Sequence, residues 1–240
     1  MLKIIETCAK PAQDIMDKDR MLLEELDPKA SPILHLYEWK GKSVTCGMFI
    51  DIEKNFDISN CEEEKINIGR RPTGGGVIFH IWDYAFSFLM PSSNEKFDQS
   101  PLKNYQFVNR IVQKACLKFL DASDQFHMID YDVPTSDVDS MRFCMARPTK
   151  YDLLIGDKKL VGAAQRKKKN GYLHQGSIAL QIPDVTLLAK VLKVPNSVLQ
   201  NMIRYSYPLV SQKIDEEQMK QIRFELKKCL IEAFRNELNR

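Results

Sequence analysis

The chain has 240 residues, 44% of them hydrophobic and 28% charged, with a formal net charge of +3. This composition excludes a disordered, highly charged chain and gives no strong field directed at nucleic acid. With no run of about 20 apolar residues it also gives no membrane-spanning helix. The N-terminal stretch carries acids and a proline where a secretory signal needs an unbroken apolar core, so a cytoplasmic protein is expected. One large domain, or a domain with a small appendage, is the expected organisation.

Ile15, Met16, Leu22, Leu23 and Leu26 share one helical face, which predicts a helix from Asp14 to Leu26, ended by Pro28 and Pro32. Ile33–Trp39 and Ser43–Phe49, separated by Lys40-Gly41-Lys42, predict two strands around a turn. An acidic stretch, Cys61–Lys65, leads into a Gly-rich strand-turn-strand unit from Ile66 to Phe88. After Pro101, the spacing of Tyr105, Val108, Ile111, Val112, Ala115, Cys116 and Phe119 predicts an amphipathic, core-packing helix. Asp121–Thr149 is polar and aperiodic, too long for a comfortable structureless loop. Strands are expected at Tyr151–Ile155, Lys159–Ala163 and Gly176–Ile182, the first two joined by a Gly156-Asp157 turn, and the run Arg166–Lys169 reads as a solvated loop. Helices are expected from Asp184 and from Asp215 to Leu238, the latter with acids at its start and bases near its end. The mixture of hairpins and helices, without strict strand-helix alternation, favours an α+β fold with a mixed or antiparallel sheet.

Two segments carry the chemistry. In GRRPTGGGVIFH, Gly69 to His80, three consecutive glycines permit positive φ and a close backbone approach to a ligand, and Arg70 and Arg71 are suited to phosphate or carboxylate oxygens. It is neither a Walker A loop nor a dinucleotide fingerprint. In YDLLIGDKKLVGAAQRKKKNGYLHQGSIAL, Tyr151 to Leu180, Lys158 or Lys159 precedes a strand whose Gly162, Ala163 and Ala164 leave room for a ligand. The plainer reading of those lysines is hairpin solubility, and that of His174 is a satisfied core histidine. Six scattered cysteines, Cys8, Cys46, Cys61, Cys116, Cys144 and Cys229, form no CxxC pair and read mostly as small buried hydrophobes. No metal-ligand spacing and no GxSxG elbow occur.

Together these segments resemble the biotin/lipoate protein ligase superfamily, and within it the lipoate-protein ligases and the cysteine octanoyltransferases. The first is similar at Arg70, Arg71, Thr73, Gly74, Gly75, Gly76 and His80, and GDKKLVGAAQR followed by LHQGSI is similar to the second and third family segments, over residues 30 to 210 or so. The resemblance implies a single biotin/lipoate protein ligase-like catalytic domain over residues 1–240, without the accessory C-terminal domain that many ligases carry, in which Lys159 is the catalytic lysine. The substrate or adenylate would lie against Arg70, Arg71, Thr73, Gly74, Gly75, Gly76, His80, Gly162, Ala163, Ala164, Gln165, His174 and Gly176. It also implies an acyl tunnel walled by Val77, Phe79 and Gly162-Ala163-Ala164, and lipoate or octanoate as substrate. The partners implied are lipoyl domains of 2-oxoacid dehydrogenase E2 subunits or the glycine cleavage H protein. The leading expectation is a lipoate-protein ligase that uses ATP with Mg and passes through lipoyl-adenylate, a choice that leans on the ligase-like Gly76. The alternative is an ATP-independent transferase taking its acyl group from an acyl carrier protein: FCMARPTKYDL is similar to the segment that holds that family's cysteine, and Cys144 lies 15 residues before Lys159. A further alternative is an inactive binding homologue, because His80 is followed by Ile-Trp-Asp-Tyr rather than the Asp-x-Gly-Asn common in ligases. Replacing Lys159 by alanine is expected to remove acyl transfer and leave the fold intact.

Overall fold

The computed structural model describes residues 1–120, 126–133, 139–150 and 152–239. Its strands form two sheets. The larger has seven, in the order β1 (Lys3–Lys10), β2 (Ile33–Trp39), β6 (Asp83–Pro91), β10 (Gly171–Ala179), β9 (Lys158–Lys168), β8 (Leu153–Ile155) and β7 (Phe126–Met128). Only β1 and β2 pair in parallel; every other pair in that sheet is antiparallel. The smaller sheet places β3 (Ser43–Cys46) between β4 (Asn67–Arg70), parallel to it, and β5 (Val77–Phe79), antiparallel. This is the expected α+β architecture with a mixed sheet.

Helix α1 (Ala12–Glu24) packs between the sheets and buries Ala12, Ile15, Met16, Asp19 and Leu23. It starts earlier than its apolar spacing indicates, because Pro11 opens the first turn and the Asn67 side chain of β4 accepts the N–H of Ala12 at 2.5 Å. On the opposite face of the large sheet, α4 (Pro101–Leu120) and α7 (Glu216–Leu238) pack together over an apolar core that includes Phe86, Phe88, Val108, Ile111, Leu226 and Phe234. Asp215 and Gln218 close a capping box at the start of α7. A second core, around Val44, Val77, Phe79, Phe143 and Val191, lies under the small sheet against α5 (Val185–Val191) and α6 (Asn196–Arg204).

Three differences from the sequence reading have physical causes. Strand β1 was not anticipated: as an edge strand bonded on one side only, it is largely exposed and lacks a clean apolar alternation. Two short helices, α2 (Ile52–Asn55) and α3 (Ile58–Glu63), are held by Asp51 and Asp57 at their N-caps rather than by periodicity. The basic run is not a loop but the end of β9, with the turn at Lys169-Asn170. Lys167 reaches the face of Phe97 and bonds Gln99, and Lys168 pairs with Glu24, so these stems lie along the sheet with their charges at the edge. Of the polar stretch, the structure shows β7 and a turn of 3-10 helix at Ser140–Arg142; the rest of it up to Leu153 contains residues outside those described.

Candidate active site

The Arg71–Gly76 loop crosses the end of β3 and is fixed from within. Gly47 N–H donates to Gly76 O and Met48 N–H to Thr73 O. Arg70 donates through one nitrogen to the carbonyls of Gly47, Met48 and Ile50, at 3.3, 3.0 and 2.8 Å. Arg71, only 4% exposed, reaches Thr45 O and Oγ1 with Nη1 and the carbonyls of Gly74 and Gly76 with Nη2. The arginines read as phosphate or carboxylate ligands are thus turned inward onto backbone carbonyls. Of the three glycines, Gly75 takes positive φ, +86°. Gly76 is needed for space, since a Cβ there would lie 2.1 Å from Arg142 O.

That approach of Arg142 sets the thiol. The segment after the 3-10 turn runs beside β5, with Phe143 bridged to Val77 and Cys144 N–H donating to Val77 O. Cys144 Sγ then accepts the Gly76 N–H at 3.3 Å, and the free space beside Gly75 ends on the thiol, Arg71 and Ala164.

Lys159 comes to the same point from β9. Its backbone is held by Tyr205 and Tyr207, its stem folds over Gly162, where a Cβ would lie 2.6 Å from Cε, and its ammonium donates to Cys144 O at 2.9 Å. The ammonium also pairs with Asp152 Oδ2 at 2.7 Å, both residues being 3% exposed. Thr149 donates to the same oxygen through its N–H and its hydroxyl, at 2.6 and 2.8 Å. Burial pushes the Asp152 carboxyl above the usual carboxylate range, against the pull of Lys159. The sequence reading missed Asp152, although a threonine three residues before an aspartate at a strand entrance is a turn signal. It also treated Lys159 as a hairpin lysine that the fold does not need. Its buried pairing corrects that, since removing it strands a carboxylate.

Beyond the thiol lies a narrow, mainly apolar slot lined by Met16, Tyr37, Ile78, Ala85, Ala164 and Ser177, among others. His80 closes one side, stacked on Trp39 with ring centroids 4.2 Å apart. His80 Nε2 lies 2.8 Å from Thr45 Oγ1 and Nδ1 lies 2.8 Å from Asp83 Oδ2, which also accepts from Ser177 Oγ. Because Thr45 Oγ1 accepts from Arg71, its proton is directed to His80, and the chain Arg71, Thr45, His80, Asp83 runs in one direction when His80 is neutral. Asp83 therefore holds the ring where the sequence lacks Asp-x-Gly-Asn.

Strand alternation divides the remaining sequence candidates. Gly162, Ala164, Gln175 and Ser177 face the thiol. His174 and Gln165 face the other way, where Gln165 Nε2 donates to His174 Nδ1 and the imidazole packs on Tyr105 and Phe86. Gly176 and its partner Ala163 border the slot with backbone only: a Cβ at Gly176 would meet the Phe86 ring at 2.4 Å. On β5 it is Ile78 that lines the slot, while Val77 and Phe79 belong to the second core.

The lipoyl protein ligase A/B catalytic domain matches residues 11–235. The chain belongs to this family. Octanoyltransferase LipM of Carboxydothermus hydrogenoformans is 27% identical over 206 residues, covering 85% of this chain and 74% of that protein. LipM of Anoxybacillus flavithermus is 25% identical, covering 93% and 81%. Among solved structures, a putative lipoate protein ligase from T. acidophilum with bound lipoic acid shares the fold with a TM-score of 0.72 at 21% identity, over 100% of this chain and 86% of that one. A structure of a bipartite lipoate protein ligase and its E2 lipoyl domain from Thermoplasma acidophilum gives 0.71 at 23% identity, over 99% and 83%. The chain is an enzyme of this lipoate ligase and octanoyltransferase family. Among its described residues no helix is long and apolar enough to cross a membrane.

Proposed function

We propose that the chain is a cysteine-dependent octanoyltransferase that works as one catalytic unit and needs no ATP. The observation that carries this reading is the setting of the thiol: Sγ lies against Gly75, accepts the Gly76 N–H, and belongs to the residue whose carbonyl binds Lys159. The Cys144 thiolate attacks the carbonyl carbon of an octanoyl thioester on a carrier protein. The tetrahedral adduct expels the carrier thiolate, which takes up a proton, and leaves octanoyl-Cys144. A lysine amine of a lipoyl domain then attacks that thioester, the amide forms, and the thiol of Cys144 is regenerated. The Gly76 N–H, which donates to Sγ, and the Lys159 ammonium, which donates to the Cys144 carbonyl, are the donors placed at the acyl-carrying residue, and in this reading they oppose the negative charge that develops on the substrate oxygen. The slot beyond Cys144 has a free volume of about 20 Å³, so in this reading it widens to receive the acyl chain, and the LipM relatives agree with this chemistry in their names. The lipoyl domain in the Thermoplasma acidophilum structure supports the class of acceptor.

An adenylate fits this site less well. Arg70, Arg71 and Arg166 donate to backbone carbonyls, so the arginines expected on a phosphate are committed elsewhere. Gly76, the residue that favoured a ligase, is accounted for by the approach of Arg142 and does not bear on ATP. The test is mass spectrometry of the protein after incubation with octanoyl carrier protein and no nucleotide. One octanoyl mass on the Cys144 peptide, removed by hydroxylamine and absent from Cys144→Ala, is the expected result. Modification of a lipoyl domain only when free lipoate and ATP with Mg are both supplied would give the ligase reading instead.

A further inference from the structure

Behind the glycine loop, five buried or half-buried side chains form a continuous hydrogen-bonded line through the molecule. Asp19 of α1 is fully buried, and both its oxygens are occupied: Oδ1 lies 2.7 Å from His35 Nδ1, and Oδ2 accepts from Ser87 Oγ at 2.5 Å and Gln175 Nε2 at 2.6 Å. His35 Nε2 in turn lies 2.8 Å from Thr7 Oγ1 of the edge strand β1. At the other end, Gln175 Oε1 accepts the hydroxyl of Thr73 at 2.7 Å, inside the Arg71–Gly76 loop. An ionised carboxylate only accepts, so Asp19 fixes which way the Gln175 amide points: its NH2 turns to Asp19 and its oxygen to Thr73. Nothing in the chemistry proposed for Cys144 uses Asp19, Gln175 or His35. A carboxylate so placed among three donors, in a wall next to an apolar slot, requires a reason.

We propose that Asp19 and Gln175 are positioning residues which, by holding Thr73, keep the Gly76 N–H on the sulfur of Cys144. Thr73 is three residues from Gly76, and the loop between them contains Gly74 and the positive-φ Gly75, the most compliant backbone in the segment. Arg71 fixes the loop's carbonyls from one side, and the Thr73–Gln175 bond ties the loop to the large sheet from the other. When that bond is cut, the loop keeps Arg71, the Met48 N–H on Thr73 O and Arg166 of β9 on Pro72 O, while the Thr73 side chain loses its register against β10. The N–H that stabilises the thiolate then leaves the sulfur. The inference rests on the reading of Cys144 as the acyl-carrying thiol, but its test does not need acyl transfer.

The readout is the rate at which iodoacetamide alkylates Cys144 at pH 7, followed on the Cys144 peptide so that the exposed Cys8 does not interfere. Gln175→Glu sets two carboxylates against each other, and Thr73→Val removes the hydroxyl without adding charge. Each is expected to slow alkylation at least threefold, because the thiolate loses its N–H donor. The exchanged pair Asp19→Asn with Gln175→Glu restores a donor on residue 19 and an acceptor on residue 175, and is expected to recover the rate to within twofold of wild type. Should Gln175→Glu fail to fold, Thr73→Val decides alone. A rate unchanged or faster in Thr73→Val, as simple loosening would give, overturns the proposal, and so does a well-folded exchanged pair that stays slow. Alkylation that responds as expected in a protein forming no octanoyl adduct leaves the positioning role standing and removes the transferase reading.

Discussion

The two faces of the seven-stranded sheet are built from the same strands and have opposite chemistry. Along β10 the side chains of Tyr172, His174 and Ile178 point to α4 and α7, into a core where Phe86, Phe88, Tyr172 and Phe234 pack ring against ring. Gln175 and Ser177, between them in sequence, point to α1 and the glycine loop and meet Asp19, Thr73 and Asp83. One face is held by burial of apolar area, which tolerates movement of a few tenths of an ångström. The other is a line of buried polar groups, each of which must find its partner. Stability is concentrated on the first face and positional accuracy on the second, so a substitution on each should fail differently.

The largest effect is expected at Lys159. Lys159→Met removes the cation from the acyl-carrying residue and should lower the rate of transfer by about two to three orders of magnitude, as loss of a single oxyanion donor does elsewhere. It also leaves Asp152 buried without its partner, which costs about 3–5 kcal/mol when nothing else compensates. Adding Asp152→Asn removes the stranded charge, so the double variant should regain most of the lost stability in urea unfolding and none of the activity. Recovery of activity in the double variant would show that Lys159 serves the fold alone. On the apolar face, Phe234→Ala should cost about 3–5 kcal/mol of unfolding free energy, since its ring is fully buried against Phe86 and Phe88. Below the unfolding temperature, octanoyl-Cys144 should form in that variant at the wild-type rate. A slowed acylation would mean that the two faces are coupled through the sheet.

Much of this division was legible in the sequence, and the part that was not has two causes. Glycines after two arginines, small residues after Lys159 and a cysteine 15 positions earlier pointed to residues that the fold brings together around one thiol. Strand β2 and helices α4 and α7 follow their periodicity almost to the residue. The period-two alternation, however, was not applied to β9, and on β5 it was applied to the wrong face. The sequence reading treats Gly162-Ala163-Ala164 as one continuous wall and assigns the face of Val77 and Phe79 on β5 to the tunnel. In the structure Ala164 and Ile78 face the slot and Gly162 lies under the Lys159 stem, while Gln165, Val77 and Phe79 are directed elsewhere. Asp19 and Asp152 were invisible for a different reason. Each acquires its role from partners 16 to 156 positions away for Asp19, and from a lysine expected at the surface for Asp152.

His174 gives the smallest effect at neutral pH and the only one of these that grows with acid. It is a polar side chain on the apolar face, with Nδ1 accepting from Gln165 and Nε2 buried without a hydrogen-bond partner among the described residues. Desolvation lowers its pKa from 6.5 to about 3. The unfolded chain takes up the proton near pH 6.5, whereas the folded chain takes it up only near pH 3, so between those values the unfolded state binds more protons. The contribution of neutral His174 to stability is therefore complete above pH 6.5 and drains away as the pH falls towards 3. His174→Phe removes the titration and keeps an aromatic ring beside Phe86 and Tyr105. Near pH 7.5 the variant should lie within about 1–2 kcal/mol of wild type, the cost of leaving Gln165 without its acceptor. Between pH 6 and pH 4 the difference should shift in the variant's favour by roughly 1.4 kcal/mol per pH unit. Urea unfolding of both proteins at three pH values measures that slope, and a flat difference would mean that water reaches the imidazole and that this face is less dry than its packing indicates.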